Sequence, residues 1–289
     1  MNARQTTDHP AGARTPERGP GGMYVDESGT PGAPAIVFIH GAGQSGRIWA
    51  EHMERLTEFH CLAADLPGFG HSNQLPAMSL AETADLLAEL IEARIPTGRA
   101  SVVGISSGGA TIHHLLGRHP DRVERAIIDG APAYPRIRAA RRSFWSAMSM
   151  LLHTRLWKPI MGDVWDPADL RDASRRAFRR TVAECFRPFA VIDAPCPTLL
   201  VAGEKETGPS DFFIDTRRSN AALAELMPTA EARFAPGLFH CWQLKAPDLH
   251  IRMVEAWVSG QELPSELRPE PAPPTATVER LRAEAAAMA

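Results

Sequence analysis

The chain of 289 residues is short of several things. It has four cysteines, Cys61, Cys185, Cys196 and Cys241, none in a C-x-x-C pair. That leaves little basis for a zinc or redox centre. Three of them lie in or beside apolar segments and read as buried thiols in a reducing compartment; Cys185 and Cys196 are the one pairing to consider. No apolar run approaches the roughly 18 residues that span a bilayer, and the N-terminus lacks the apolar core of a signal peptide. A cytoplasmic protein without a membrane partner is expected. Charge of one sign is also missing: 31 Lys and Arg against 34 Asp and Glu leave a net −3. That balance argues against nucleic acid as a partner.

What remains is an ordinary globular composition, 44% apolar, long enough for one large domain or a domain with an insertion. Residues 1–22 are rich in Pro, Gly, Arg and Thr without a period, and read as a disordered tail. Met23–Ser28 is a candidate first strand. Ala35–Ile39, AIVFI, is a continuous apolar strand of the kind covered by helices on both faces. It runs into His40-Gly41-Ala42-Gly43, and a helix is predicted over Ile48–Leu56.

A strand over Phe59–Ala64 ends at Asp65. Ser79 and Glu82 then have the spacing of a capping box ahead of a helix with Leu80, Ala84, Leu87, Leu90 and Ile91 on one face. Ala100–Ile105 and Val123–Ile128 are further strands, separated by a helical stretch over Thr111–Gly117. This alternation predicts a mostly parallel α/β sheet. From about Pro132 to Ala190 the rhythm stops, and helices are predicted over Phe144–Leu156 and Asp169–Phe186. Strands resume at Pro197–Ala202 and Glu231–Ala235, followed by a helix over Pro247–Val258. Residues 263–275 hold five prolines and read as a linker, with a short helix over Val278–Ala287.

The chemistry concentrates at Gly104-Ile105-Ser106-Ser107-Gly108, a G-x-S-x-G run directly after a strand and before a helix. Such a turn strains the serine backbone and presents its hydroxyl at the carboxyl edge of the sheet. The Ser107 N–H at the helix start can face a developing oxyanion. Ser107 is the competing hydroxyl but lacks the central position. A serine nucleophile needs a base, and the base an orienting acid. Of 11 histidines, His240 stands best, in the loop after the last strand candidate; His113, His114 and His250 lie on helices. The acid is open among Glu206, Glu204 and Asp129, all at strand ends on the edge that carries Ser106.

Taken together these residues resemble the α/β-hydrolase family, serine-nucleophile branch, over roughly residues 23–260. His40-Gly41-Ala42-Gly43 resembles its oxyanion loop, and Asp65-Leu66-Pro67-Gly68-Phe69-Gly70-His71-Ser72 its D-x-P-G-x-G-x-S loop. Gly203–Glu206 resembles its G-x-x-acid loop, and His240 its catalytic histidine. The resemblance implies a largely parallel eight-stranded sheet with a helical cap inserted after the sixth strand. The expected organisation is a core of residues 23–132 and 191–262, a lid at 133–190, and a linker and helix at 263–289. Departures are Glu206 where aspartate is commoner, and a shortened opening hairpin. Ser106 replaces the aspartate of dehalogenases and epoxide hydrolases, which argues against those reactions.

The reading is therefore a serine hydrolase acting on an apolar ester or lactone, with catalytic Ser106, His240 and Glu206 (alternative acid Asp129). Ala42 and Ser107 N–H groups would form the oxyanion hole. No metal or organic cofactor is called for. A thioesterase or carbon–carbon bond hydrolase, and a ligand-binding or scaffold protein on the same fold, are the alternatives. The 133–190 segment has 12 Lys or Arg against 5 Asp or Glu, with Arg175, Arg176, Arg179 and Arg180 close together. They read as a solvated face or an anion-attracting patch. Phe144, Trp145, Met148, Met150, Leu151, Leu152, Leu156, Trp157 and Trp165 would line a pocket or glue the lid to the core.

Overall fold

The computed structural model describes residues 18–131, 166–185, 194, 196–206 and 216–287. Its eight strands are β1 (Val25–Ser28), β2 (Ala35–Ile39), β3 (His60–Ala64), β4 (Ala100–Ile105), β5 (Val123–Asp129), β6 (Thr198–Gly203), β7 (Ala230–Ala235) and β8 (Arg268–Pro269). They form one sheet in the order β1-β3-β2-β4-β5-β6-β7-β8. The inner six are parallel, and β1 and β8 run antiparallel at the two edges.

The continuous apolar runs explain the layering. Every residue of β2, β3, β4 and β6 is buried, so both faces of the sheet must be covered. Alternate residues divide between two cores. Val37, Ile39, Val102 and Ile128 pack with α2 (Leu80–Arg94) and α3 (Ser107–Arg118). Ile36, Phe38, Val103 and Ile127 pack on the other face with Met53 of α1 (Ala50–Arg55) and with Ile251, Val254 and Trp257 near the C-terminus.

Helix α2 begins as its sequence predicts. Ser79 Oγ accepts the Glu82 N–H at 3.1 Å and the Glu82 carboxylate accepts the Ser79 N–H at 2.7 Å. Ser79→Ala is expected to cost about 1 kcal/mol of stability, read from a urea unfolding midpoint.

Four sequence expectations differ from the structure. The Asp169–Phe186 helix is two helices, α4 (Pro167–Asp172) and α5 (Arg175–Cys185). The Ser174 N–H leaves the helical pattern and donates to the Gly68 carbonyl at 2.7 Å, so the core loop interrupts the helix. Asp169 secures the same segment by accepting from Ser45 Oγ at 2.8 Å and pairing with Arg47. Second, residues 133–190 follow the fifth strand, not the sixth. Among the described residues the sheet starts at β1, and its eighth strand comes from the far end of the chain.

Third, the proline-rich stretch after residue 263 is no free linker. Leu267 is buried in the second core, and Arg268–Pro269 covers the edge of β7, where a proline is tolerated. Glu270 receives two-pronged hydrogen bonds from Arg217 at 2.8–3.1 Å. Arg217 belongs to α6 (Thr216–Ala224), which follows the acid-bearing loop and was not expected. Two further helices complete the chain, α7 (Pro247–Val258) and α8 (Thr275–Ala286), the latter burying Leu281. Fourth, of the N-terminal tail residues, Pro20–Gly22 form a 3-10 turn lying on α2; residues 1–17 lie outside the described part. The helix predicted over Phe144–Leu156, with Trp157 and Trp165, also lies outside it. Among the described residues no helix is long and apolar enough to cross a membrane.

Candidate active site

Four neighbouring parallel strands deliver the candidate residues to one edge. Ser106 follows β4, Asp129 ends β5, Glu206 follows β6 and His240 follows β7. In an open parallel sheet this carboxyl edge is where ligands gather.

Ser106 sits at φ 56°, ψ −118°, between β4 and α3. A non-glycine residue there costs on the order of 1–3 kcal/mol. The glycines on either side let strand and helix close on each other: a Cβ on Gly104 would lie 2.6 Å from the Gly108 carbonyl carbon. The Ser106 N–H donates to the Asp129 carbonyl at 2.8 Å, and its own carbonyl accepts from Ala110 as the first bond of α3. Ser107 therefore opens the helix with its N–H beside the serine.

The loop after β2 arrives next to it. A Cβ built on Gly41 would be 3.3 Å from Ser106 Cβ. His40 holds that loop in one tautomer: Nδ1–H donates to the Gly41 carbonyl at 2.8 Å, and Nε2 accepts from the Leu66 N–H at 3.0 Å. Burial lowers the His40 pKa, which keeps this ring neutral. Gln44, absent from the sequence reading, braces the loop as well. Its Oε1 accepts the Gly41 N–H at 2.9 Å and its Nε2 reaches Cys241 Sγ at 3.6 Å. The spacing of three residues after Gly41 is its only sequence signal.

Of the acids left open by sequence, Glu206 is the one hydrogen-bonded to the His240 imidazole. Glu206 Oε2 accepts from His240 Nδ1 at 2.9 Å, while Oε1 accepts the Gly203 N–H at 2.9 Å. Burial opposes protonation of His240, but the Cys241 sulfur and the Glu206 carboxylate outweigh it and hold its pKa well above the ordinary histidine value. Ser106 is linked to this pair by main chain. The residue after its Asp129 partner is Gly130, where a Cβ would lie 2.8 Å from His240 Nδ1.

The alternatives point elsewhere. Glu204 accepts the Gly237 N–H at 2.7 Å and shapes the turn before His240. Asp129 makes no hydrogen bond to His240; its Oδ1 accepts from Trp242 Nε1 at 3.0 Å. Burial first, and the Glu206 carboxylate second, raise the Asp129 pKa well above the carboxylate range. His71 donates its N–H to Asp65 Oδ2 at 2.6 Å and packs on Tyr24, so it supports the 65–72 loop. His113 is buried in α3, and His250 is buried in α7.

Arg180 is paired with Glu82 and Glu184, whereas Arg175, Arg176 and Arg179 are exposed on α5. Among the described residues no group of His, Cys, Asp and Glu has the arrangement of a metal site. The four cysteines are free thiols.

Residues 34–187 match the family described as alpha/beta hydrolase fold, and the chain belongs to that family. An AB hydrolase superfamily protein of Gibberella zeae is 27% identical over 250 residues, covering 82% of this chain and 84% of that one. A pimeloyl-[acyl-carrier protein] methyl ester esterase of Chromobacterium violaceum is 38% identical over 116 residues. That match spans 39% of this chain and 43% of the esterase, under half its length. A solved esterase of Thermogutta terrifontis superposes with a TM-score of 0.65 at 20% identity, covering 83% of this chain and 95% of that one. At that identity the likeness concerns the fold.

Proposed function

We propose that the chain is a serine hydrolase that cleaves a small-to-medium apolar carboxylic ester or lactone through an acyl-enzyme on Ser106. The observation that carries this reading is the Glu206–His240 hydrogen bond at 2.9 Å, set one glycine away from the main-chain partner of a strained Ser106. Glu206 accepts from Nδ1–H and leaves Nε2 as a free base. His240 then takes the Ser106 proton as Oγ attacks the carbonyl carbon. The Ala42 and Ser107 N–H groups receive the oxyanion, and protonated His240 returns its proton to the leaving alkoxide. Water attacks the acyl-enzyme, with His240 again as base, and frees the acid and Ser106.

An ester substrate is favoured by the relative named as a methyl ester esterase. An apolar one is favoured by Phe239, which is 45% exposed immediately before His240. The test is intact-protein mass after exposure to a fluorophosphonate and a panel of esters, lactones and thioesters. One adduct on Ser106 and turnover of esters or lactones is expected. Turnover of thioesters alone would transfer the reading to a thioesterase. Saturable binding with neither adduct nor turnover would make this a binding protein.

A further inference from the structure

Among the described residues, two other than glycine have a left-handed backbone: Ser106 at φ 56° and Cys241 at φ 59°. The first carries the proposed nucleophile. The second follows His240 directly, and so sets the direction of the proposed base. Each costs free energy to hold in place.

One residue is bonded to Ser106 and to the residue after Cys241. The Asp129 main-chain carbonyl accepts the Ser106 N–H at 2.8 Å. Its side chain accepts the Trp242 indole N–H at 3.0 Å, and Trp242 is the residue after Cys241. Asp129 and Trp242 are both fully buried, so neither group can exchange its partner for bulk water. Beyond Asp129 the polar chain continues. Oδ2 faces His250 Nε2 at 3.5 Å, and His250 Nδ1 is 2.8 Å from His52 Nε2.

We propose that Asp129 is a positioning residue for the Ser106–His240 pair, bracing the serine through its carbonyl and the histidine turn through Trp242. The inference rests on the serine-hydrolase reading above and assigns to this acid a task other than holding the imidazole.

The groups facing the Asp129 carboxyl fix its protonation state. Glu206 and His240 approach from the loops after β6 and β7, Trp242 from the turn, and His250 from α7, with His52 of α1 behind it. A buried carboxylate with one hydrogen bond, beside a second carboxylate, is far from its hydrated stability. The second carboxylate, Glu206, has two hydrogen-bond partners, the Gly203 N–H and His240 Nδ1. Burial and that neighbouring carboxylate favour the neutral form of Asp129, whose Oδ2 faces His250 Nε2 at 3.5 Å. Burial depresses His250 to about 3, so that nitrogen is free to accept. An asparagine fits the same donors and acceptors: its oxygen toward Trp242 and its amide hydrogen toward His250.

The test is the rate of phosphonylation of full-length protein by a fluorophosphonate, resolved into a maximal rate and a half-saturating concentration, across pH. Displacing the base by around 1 Å costs on the order of 100-fold. Asp129→Ala and Trp242→Phe are therefore expected to lower the maximal rate by about 10- to 100-fold, with half-saturation within about threefold of wild type. Asp129→Asn is expected to recover most of the rate that Asp129→Ala loses, with the acid limb of the pH profile in the wild-type position. If Asp129→Ala does not fold, Trp242→Phe and Asp129→Asn carry the test.

Wild-type rates in Trp242→Phe would overturn the proposal. So would an Asp129→Asn protein as slow as the alanine variant, or one whose acid limb moves to lower pH, since charge rather than hydrogen bonding would then be at work. A wild-type protein that is not labelled at Ser106 removes the serine-hydrolase reading and this inference with it. Labelled wild type with indifferent variants removes the inference alone.

Discussion

Ser106→Ala is expected to take up no fluorophosphonate and to lose about 10⁴-fold or more in kcat while remaining folded. The size follows from the division of labour. Once Oγ is gone, Glu206 and His240 have no proton to transfer, and only binding and oxyanion stabilisation remain. Folding is spared because alanine keeps the Cβ already accommodated at φ 56°, and the Ser106 N–H and carbonyl still bond Asp129 and Ala110. Ser106→Gly separates strain from chemistry. It lacks Oγ as well, but glycine adopts this backbone without the Cβ penalty. It is expected to be more stable than Ser106→Ala by about 1 kcal/mol, since relief of strain exceeds the added entropy of the unfolded chain. Chemical denaturation of the two variants measures that difference. A glycine variant no more stable than the alanine one would mean that the elbow stores no strain, and residual labelling in either would place the nucleophile elsewhere.

The parts of this molecule legible in sequence are those where local pattern and tertiary role agree. Ala35–Ile39 and Ala100–Ile105 are strands to the residue because an unbroken apolar run between turn residues has one use in a covered sheet. The Ser79–Glu82 box works within four residues and needs no partner from afar. What escaped depends on distant contacts. Helix α6 buries Thr216, Ser219 and Asn220 alongside alanines, so its inner face shows little apolar period. Strand β8 is an Arg-Pro pair whose place is secured by Glu270 on Arg217, 53 positions away. The break at Ser174 is made by the Gly68 carbonyl.

The acid is the instructive case. Asp129 ends β5 and Glu206 lies just past the end of the adjacent β6, with Asp129 opposite Val201 in the register. Spacing along the chain ranks both as within reach of an imidazole. The difference lies in two hydrogen bonds: the Gly203 N–H turns Glu206 toward His240, and the Trp242 indole turns Asp129 away. Gly203 is visible as the first residue of the G-x-x-acid run, but the Trp242 donor belongs to no motif. His52 and His250, joined at 2.8 Å across 198 positions, were equally hidden.

Glu206→Gln is expected to lower kcat by about 10³- to 10⁴-fold, and to do so at least as severely as Glu206→Ala. The ordering comes from the second oxygen. Glu206 Oε1 accepts the Gly203 N–H, a buried donor that requires an oxygen. A glutamine must give its carbonyl to Gly203 and so presents its NH₂ to His240 Nδ1. The imidazole is then driven to accept there and to carry its proton on Nε2, the nitrogen that has to be bare when Ser106 is deprotonated. Alanine imposes no tautomer and leaves room for water. The pH profile supplies an independent sign. In the proposed mechanism His240 works unprotonated, so kcat/KM is expected to rise with pH as the imidazolium loses its proton. Glu206 is one of the groups that raise this pKa. Removing its charge favours the neutral ring, and the rising limb of both variants is expected to move to lower pH even as the plateau falls. Wild-type, glutamine and alanine proteins assayed on one ester from pH 4 to 9 measure both effects. A limb that stays in place would show that Glu206 does not act on the base. A glutamine variant more active than the alanine one would show that the Gly203 N–H does not fix the orientation of the amide.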